Sequence, residues 1–297
     1  MSEIRSLAEI VAGLSDLEFK ALEVIERLAG QGRAATQTLL AGMLKMDPGR
    51  VEGILSKLNR AGLVWAPLGR GHEYFLNFRG LDALALNSAS RRGILTHIGV
   101  RIGVGKEADI YTGISGEGGP VAIKFYRIGR RSIKKHKRLR DIGLESINYL
   151  DSSKRTAARE MEALKVLHPR GLSVPAPVYR NRHMLVTSLI EGELLVRVRT
   201  HPDPETLLEE IVGSILGALY AGVIHCDLSP YNILIDTHDR HVIIDWPQWV
   251  TPKHRNAARY LERDVTNIVS FFRRRFGLRV DGQRYLEMVA RALYHHV

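Results

Sequence analysis

The stretch HCDLSPYNILID, His225 to Asp236, is followed by VIIDW, Val242 to Trp246. It sets Asp227 two positions after His225 and Asn232 five after Asp227, and an apolar run then closes on Asp245. Phosphoryl transfer asks a protein for one carboxylate that orients a hydroxyl or water, and for a second carboxylate and a neutral oxygen that hold Mg2+. Asp227, Asp245 and Asn232 supply those three groups. His225 is expected to brace the loop rather than react. The spacing D-x-x-x-x-N is common by chance, so its weight depends on what stands upstream.

Upstream, GVGKEAD supplies Gly103, Val104, Gly105, Lys106, Glu107 and Ala108. It is not a Walker motif, since no Ser or Thr follows Lys106, nor a complete G-x-G-x-x-G, since Ala108 takes the third place. Alone, these would be hairpin glycines. The motif VAIK then ends in Lys124 on the third strand, where protein kinases keep the Lys that holds the α and β phosphates beneath a glycine-rich hairpin. Such a Lys needs a carboxylate to fix it. The helix KRTAAREMEALKVLH offers Glu160, on one stripe with Ala157 and Leu164, while Glu162 falls on the solvated side. In HMLVTSLIEGELL a strand leads to a turn at Gly192, and in a kinase-like fold this is the hinge, where adenine would pair with the backbone of Ser188 and Ile190. The implied cofactors are ATP and Mg2+, with Mn2+ able to substitute.

The elements that must position these groups are legible in outline. SDLEFKALEVIERLAG has an N-cap Ser15 and apolar residues at helical spacing, TQTLLAGMLKM fits a second helix, and DPGRVEGILSKLNRAG a third, capped by Asp47, with Pro48 in its first turn and Gly62 past its end. LVWAPLGRGHEYFLNF reads as a hairpin. Three helices followed by a hairpin is the order of a winged helix, with Arg50, Lys57, Arg60 and Arg70 placed to touch nucleic acid; a protein-interaction or structural winged helix is the alternative. Gly80 to Gly93 reads as a helix and linker. From Gly99 the pattern becomes strand, tight turn, strand, turn, strand, an antiparallel meander rather than a βαβ unit. Ile211 to Cys226 reads as a buried helix turning into a strand and is too short to span a membrane.

With 297 residues and 45% hydrophobic content the chain has enough apolar surface for two or three packed units. One cysteine, Cys226, excludes a disulfide framework and suits a reducing, cytoplasmic setting, most simply as a buried structural thiol. The N-terminus lacks the continuous apolar core of a signal peptide. A formal net charge of +11 calls for an anionic partner. Lys124 to Arg140, a stretch that includes the expected basic loop 127–140, carries nine Lys or Arg and no acid, a run suited to RNA phosphates.

GVGKEADIY, VAIKFYRIGRRS, IHCDLSPYNILID and VIIDWPQWV, preceded by a winged helix, resemble the RIO family of atypical serine/threonine protein kinases, specifically its type-two branch. The resemblance covers nearly the whole chain. It implies an α+β fold: a winged helix and linker helix over 1–92, then a bilobal kinase-like domain over 93–297, with lobes of about 93–187 and 192–297. It further implies an ATP- and Mg-dependent kinase or ATPase in small ribosomal subunit maturation, bound to the pre-ribosomal particle or its rRNA. Transient phosphorylation of Asp245 would belong to its cycle. The lack of a long C-terminal extension suggests an archaeal member. Two departures stand out: Ala108 replaces the usual Ser of the phosphate loop, and Ser229 stands where ordinary kinases place a Lys, which argues against efficient transfer to protein hydroxyls. A small-molecule phosphotransferase of the aminoglycoside or choline kinase type shares the H-x-D-x-x-x-x-N and I-D-W pattern but not the winged helix. A winged-helix regulator that only senses nucleotide would not need Asp227.

Overall fold

A computed structural model describes residues 3–67, 73–105, 107–129 and 142–296. These divide into two compact units, one of 1–157 with 179–186 and the other of 158–178 with 187–297.

The first unit opens with α1 (Glu3–Ala12), an amphipathic helix that the expectations above omit; its Ile4 and Leu7 are buried. Helix α2 (Asp16–Gly30) begins in a full capping box, Ser15 with Glu18, and α3 (Gln37–Leu44) is capped by Thr36. Helix α4 (Pro48–Arg60) starts as its sequence demands, with Asp47 accepting the amides of Gly49 and Arg50, and Gly62 adopts φ +70° just past its end. The hairpin is short: β1 (Val64–Trp65) pairs antiparallel with β2 (Phe75–Leu76). Helix α5 (Phe78–Arg91) starts two residues before Gly80, because the Asn77 side chain caps the Gly80 amide. Gly80 itself lies so near the Leu63 carbonyl that any Cβ would collide with it.

The meander follows as β3 (Leu95–Val104), β4 (Ala108–Ser115) and β5 (Pro120–Tyr126), all antiparallel. With β6 (Pro177–Asn181) and β7 (Met184–Ser188) they form a five-stranded sheet of order β3-β4-β5-β7-β6. One continuous apolar core joins the N-terminal helices to this sheet, from Leu22, Leu55 and Leu84 to Ile123, Phe125 and Val186. Helix α6 (Ile142–Leu167) begins well before the Lys154 at which its pattern becomes recognisable.

In the second unit β8 (Gly192–Leu194), β9 (Ile233–Asp236) and β10 (His241–Ile243) make a small antiparallel sheet of order β10-β9-β8. Helix α7 (Pro204–Tyr220), which contacts β10, packs together with α8 (Ala257–Phe276) and α9 (Gly282–His296). The expected passage from buried helix into strand before Cys226 is corrected: α7 ends in a turn at Gly222, φ +85°, and only Ile224 bridges to Val250. No described helix is long and apolar enough to cross a membrane.

Candidate active site

The loop from His225 to Asn232 and the end of β10 form one hydrogen-bonded assembly. His225 is buried; its Nε2 donates to the Ile244 carbonyl at 3.1 Å and its Nδ1 accepts the Asp227 amide at 3.3 Å. Those roles require the neutral Nε2–H tautomer, and burial, which holds the His225 pKa below the usual imidazole range, keeps it neutral. The ring also packs against Trp246, centroids 4.6 Å apart. His225 is thus a brace, as expected.

Asn232 closes the assembly from the other side. Its Nδ2 donates to the Asp227 carbonyl at 2.8 Å and its own carbonyl accepts the Ile244 amide at 2.9 Å. With the amide nitrogen so committed, Oδ1 is the atom left to act as a ligand. Asp227, Asn232 and the residue before Asp245 are therefore cross-linked within one unit. Asp245 itself has φ +68°, as has Cys226, and a non-glycine residue held in the left-handed region needs surroundings that over-determine it. Glu160 contributes there: it is buried, and its Oε1 accepts the Trp246 amide at 3.3 Å. Ala157 and Leu164 are buried on the same stripe and Glu162 is exposed, as the helical spacing requires.

Three residues that the sequence pattern does not single out hold the loop from α8. Asp264, 1% exposed in its side chain, accepts the amides of Cys226 at 2.8 Å and Leu228 at 3.1 Å. Burial pushes its carboxyl up to about 7 despite those two bonds. Asn267 donates to the Leu228 carbonyl at 3.1 Å, and Arg263 donates to that of Cys226. The available signal was an Asp on the apolar stripe of Leu261, Val265 and Ile268, a charge where a helix buries its face. Cys226 is buried, its thiol pushed up to about 12 by desolvation first and then by Asp264, so it is an inert structural cysteine.

In the first unit, Gly103 and Val104 end β3 opposite Ile110 and Asp109, and the Gly105 amide donates to the Ala108 carbonyl at 2.8 Å, closing the turn. Neither Gly103 nor Gly105 has a positive φ, and a Cβ at either would meet nothing nearer than 3.4 Å. No described neighbour demands glycine at either position. Lys106 lies outside the described residues; the Glu107 carbonyl accepts the Arg127 amide. Ala108 is buried with Tyr126 and Ala157. Lys124 stands on β5 opposite Ile110, its Nζ 4.8 Å from the Tyr126 ring centroid.

The Ser188 amide donates to the Ala176 carbonyl at 2.9 Å, and Ile190 lies in the segment between β7 and β8. Lys57, expected to touch nucleic acid, pairs with Glu18 at 2.7 Å and, like Arg50 and Arg60, is exposed. Arg70 and residues 130–140 of the basic loop, Ser132 included, lie outside the described residues.

Among the described residues no group of three or more His, Cys, Asp or Glu could hold a metal. One carboxylate and an amide oxygen, completed by substrate phosphates, still suit Mg2+, which rarely takes an all-protein cage.

Comparison with known proteins gives one consistent picture. A family model described as the RIO domain matches residues 109–285. The chain is 37% identical over 227 residues to the RIO-type serine/threonine-protein kinase Rio2 of Methanocaldococcus jannaschii, covering 74% of this chain and 83% of that one. It is 34% identical to the serine/threonine-protein kinase RIO2 of Caenorhabditis elegans, over 87% of this chain but only 49% of the relative. It thus spans about half the length of that nematode relative. The crystal structure of the Rio2 kinase–ADP/Mg2+–phosphoaspartate complex from Chaetomium thermophilum superposes with a TM-score of 0.81 at 29% identity, over 94% of this chain and 88% of that one.

Proposed function

Because the chain belongs to the RIO family of protein kinases, we propose that it is an atypical serine/threonine kinase or ATPase that uses ATP and Mg2+. The observation that carries this reading is the cross-linked loop: one neutral imidazole ties the Asp227 amide to the Ile244 carbonyl, and one amide side chain ties Asn232 to Asp227. Such bonding fixes the backbone that carries the three oxygen-bearing groups before any ligand arrives, and electrostatic catalysis of phosphoryl transfer requires such preorganisation.

In this reading Lys124 binds the α and β phosphates and Glu160 positions it. Gly103 to Ala108 cover the phosphates, with glycine leaving room for them, and the backbone of Ser188 and Ile190 meets adenine. Asn232 Oδ1 and Asp245 hold Mg2+, which would neutralise charge on the phosphates when bound. Asp227 orients the attacking hydroxyl or water. The Chaetomium complex contains phosphoaspartate, and we extend this to Asp245: a carboxylate oxygen attacks the γ-phosphorus, the bond to the β–γ bridging oxygen breaks, ADP leaves, and water later cleaves the acyl phosphate.

The reading includes the division into 1–92 and 93–297, a winged helix built from α2, α3, α4 and the β1–β2 hairpin, an archaeal source, and a pre-small-subunit particle or its rRNA as partner. A cytoplasmic setting follows from that partner. Asp245→Asn should abolish Mg-dependent ATP turnover, and Lys124→Ala should weaken nucleotide binding or turnover; unchanged turnover in Asp245→Asn overturns the site. The label from γ-labelled ATP should be released by hydroxylamine, whereas a hydroxylamine-stable label on Ser132 would favour an ordinary kinase.

A further inference from the structure

A further basic stretch, made of residues other than those of the winged helix and the 127–140 run, adjoins the loop from Asp227 to Asn232. The segments Leu195–His201 and Arg273–Val280 hold six arginines, Arg197, Arg199, Arg273, Arg274, Arg275 and Arg279, and no acid. All six are exposed, and none makes an ion pair among the described residues. Contacts in the structure bring the two segments together: the Arg275 guanidinium donates to the Val196 carbonyl at 2.9 Å. The same Val196 donates its amide to Pro230, inside the loop that runs from Asp227 to Asn232, at 3.1 Å. The arginine segments and the catalytic loop are therefore contiguous.

Helical geometry adds a direction. Arg263 and Asn267 reach from α8 to the loop carbonyls. Arg274 is seven residues beyond Asn267, so it falls on the same stripe about 10 Å further along the helix. Tyr231, the residue before Asn232, is 65% exposed at the loop end of this strip. Arginines in the last turn of α8 do complement its dipole. That effect needs one or two cations within the final turn, and explains neither Arg197 and Arg199 on a different segment nor the exposed tyrosine.

We infer that this strip binds single-stranded RNA, its phosphates on Arg197, Arg199, Arg274 and Arg279 and a base stacked on Tyr231. Guanidinium groups that track a backbone, ending in an exposed aromatic ring, are the two components of single-strand recognition. A single phosphorylated side chain would need neither the length of the strip nor the ring. The strand would thereby be led to the loop where phosphoryl transfer is proposed. The inference rests on the proposed RNA partner but not on the catalytic assignment.

The test is fluorescence anisotropy of the full chain with a labelled twelve-nucleotide oligouridylate across a salt series. The triple variant Arg197→Ala, Arg199→Ala, Arg274→Ala should bind roughly tenfold more weakly at about 0.1 M salt, and its log–log salt slope should fall by about 2, at about 0.7 per lost phosphate contact. The corresponding triple Lys variant should retain most of the affinity, and nucleotide binding should be unchanged in both, which reports that they fold. Tyr231→Ala should lose roughly fivefold or more for the oligouridylate while Tyr231→Phe loses little, since stacking needs the ring. If the parent does not bind the oligonucleotide, the RNA partner itself is overturned. If the parent binds and the triple Ala variant matches its affinity and slope while Arg50→Ala with Arg60→Ala does not, this surface falls and the winged-helix contact stands. Competition by polyglutamate as strong as by RNA would also overturn the assignment, because the strip would then be a general polyanion face.

Discussion

Each unit buries a carboxylate, and the two are handled in opposite ways. In the first, Asp82 on α5 receives both terminal nitrogens of Arg127 at 2.8 Å and His183 Nε2 at 2.7 Å, and Asp109 stands 3.4 Å from Arg127 Nε. Burial works to raise the Asp82 pKa, but Arg127 and then His183 outweigh it and hold the carboxyl below its usual range. In the second, Asp264 faces the amides of Cys226 and Leu228, while the nearest guanidinium, Arg263, is half exposed and 3.8 Å away. Its carboxyl rises to about 7. A full ionic partner makes a buried charge tolerable; backbone dipoles alone offset the lost hydration only in part. Asp82 and Arg127 clamp the linker helix to the sheet three residues from Lys124, whereas Asp264 leaves its loop adjustable in protonation at neutral pH.

The largest effect expected from this contrast is on the ionic side. Arg127→Met removes the bidentate ionic partner of the buried Asp82 and should cost about 3–5 kcal/mol, seen as a lower denaturant midpoint with α5 exchanging its amides early. Next, Asp264→Ala orphans two amides and should cost about 2–4 kcal/mol, at about 1–2 per amide. Hydrogen exchange should quicken at Cys226 and Leu228 while the β3–β5 meander stays protected; quickening spread equally over both units would erase the distinction.

The pH dependence separates the two by sign. A carboxyl raised to about 7 in the folded state, against 3.8 as its ordinary value, makes the folded protein bind more protons between those values. Its contribution therefore falls as pH rises from about 4 to 7. Asp82 runs the other way: its contribution is present above the ordinary carboxylate range and is lost as pH drops through its lowered folded value. Asp264→Asn should flatten the stability profile between about pH 4 and 7 and leave the acid limb of the profile in place. The smallest change should come from Glu26→Gln. Glu26 meets Arg182 at 2.8 Å and Lys154 at 2.9 Å, all partly exposed, so thermal unfolding should report about 0.5–1 kcal/mol.

Much of this was legible in the chain. The caps Ser15 and Asp47, the terminal Gly62 and the buried stripe of Ala157, Glu160 and Leu164 follow from local rules whose partners lie within a few residues. The Asp227–Asn232–Asp245 assembly was legible because its hydrogen bonds close over at most 19 residues, so type and spacing nearly specify it. Helix α1 was missed, its polar residues drawing attention away from a 3.6-residue apolar period.

What the sequence determined by itself was the chemistry of the loop and the order of the elements, since both depend on neighbours along the chain. Tertiary structure alone decided which charges are buried and with whom. Arg127 finds Asp82 across 45 residues, His183 finds it across 101, and Asp264 reaches the loop across 38. No local spacing encodes those pairings, because a buried charge is settled by what desolvates it and by which partner the fold brings within hydrogen-bond reach.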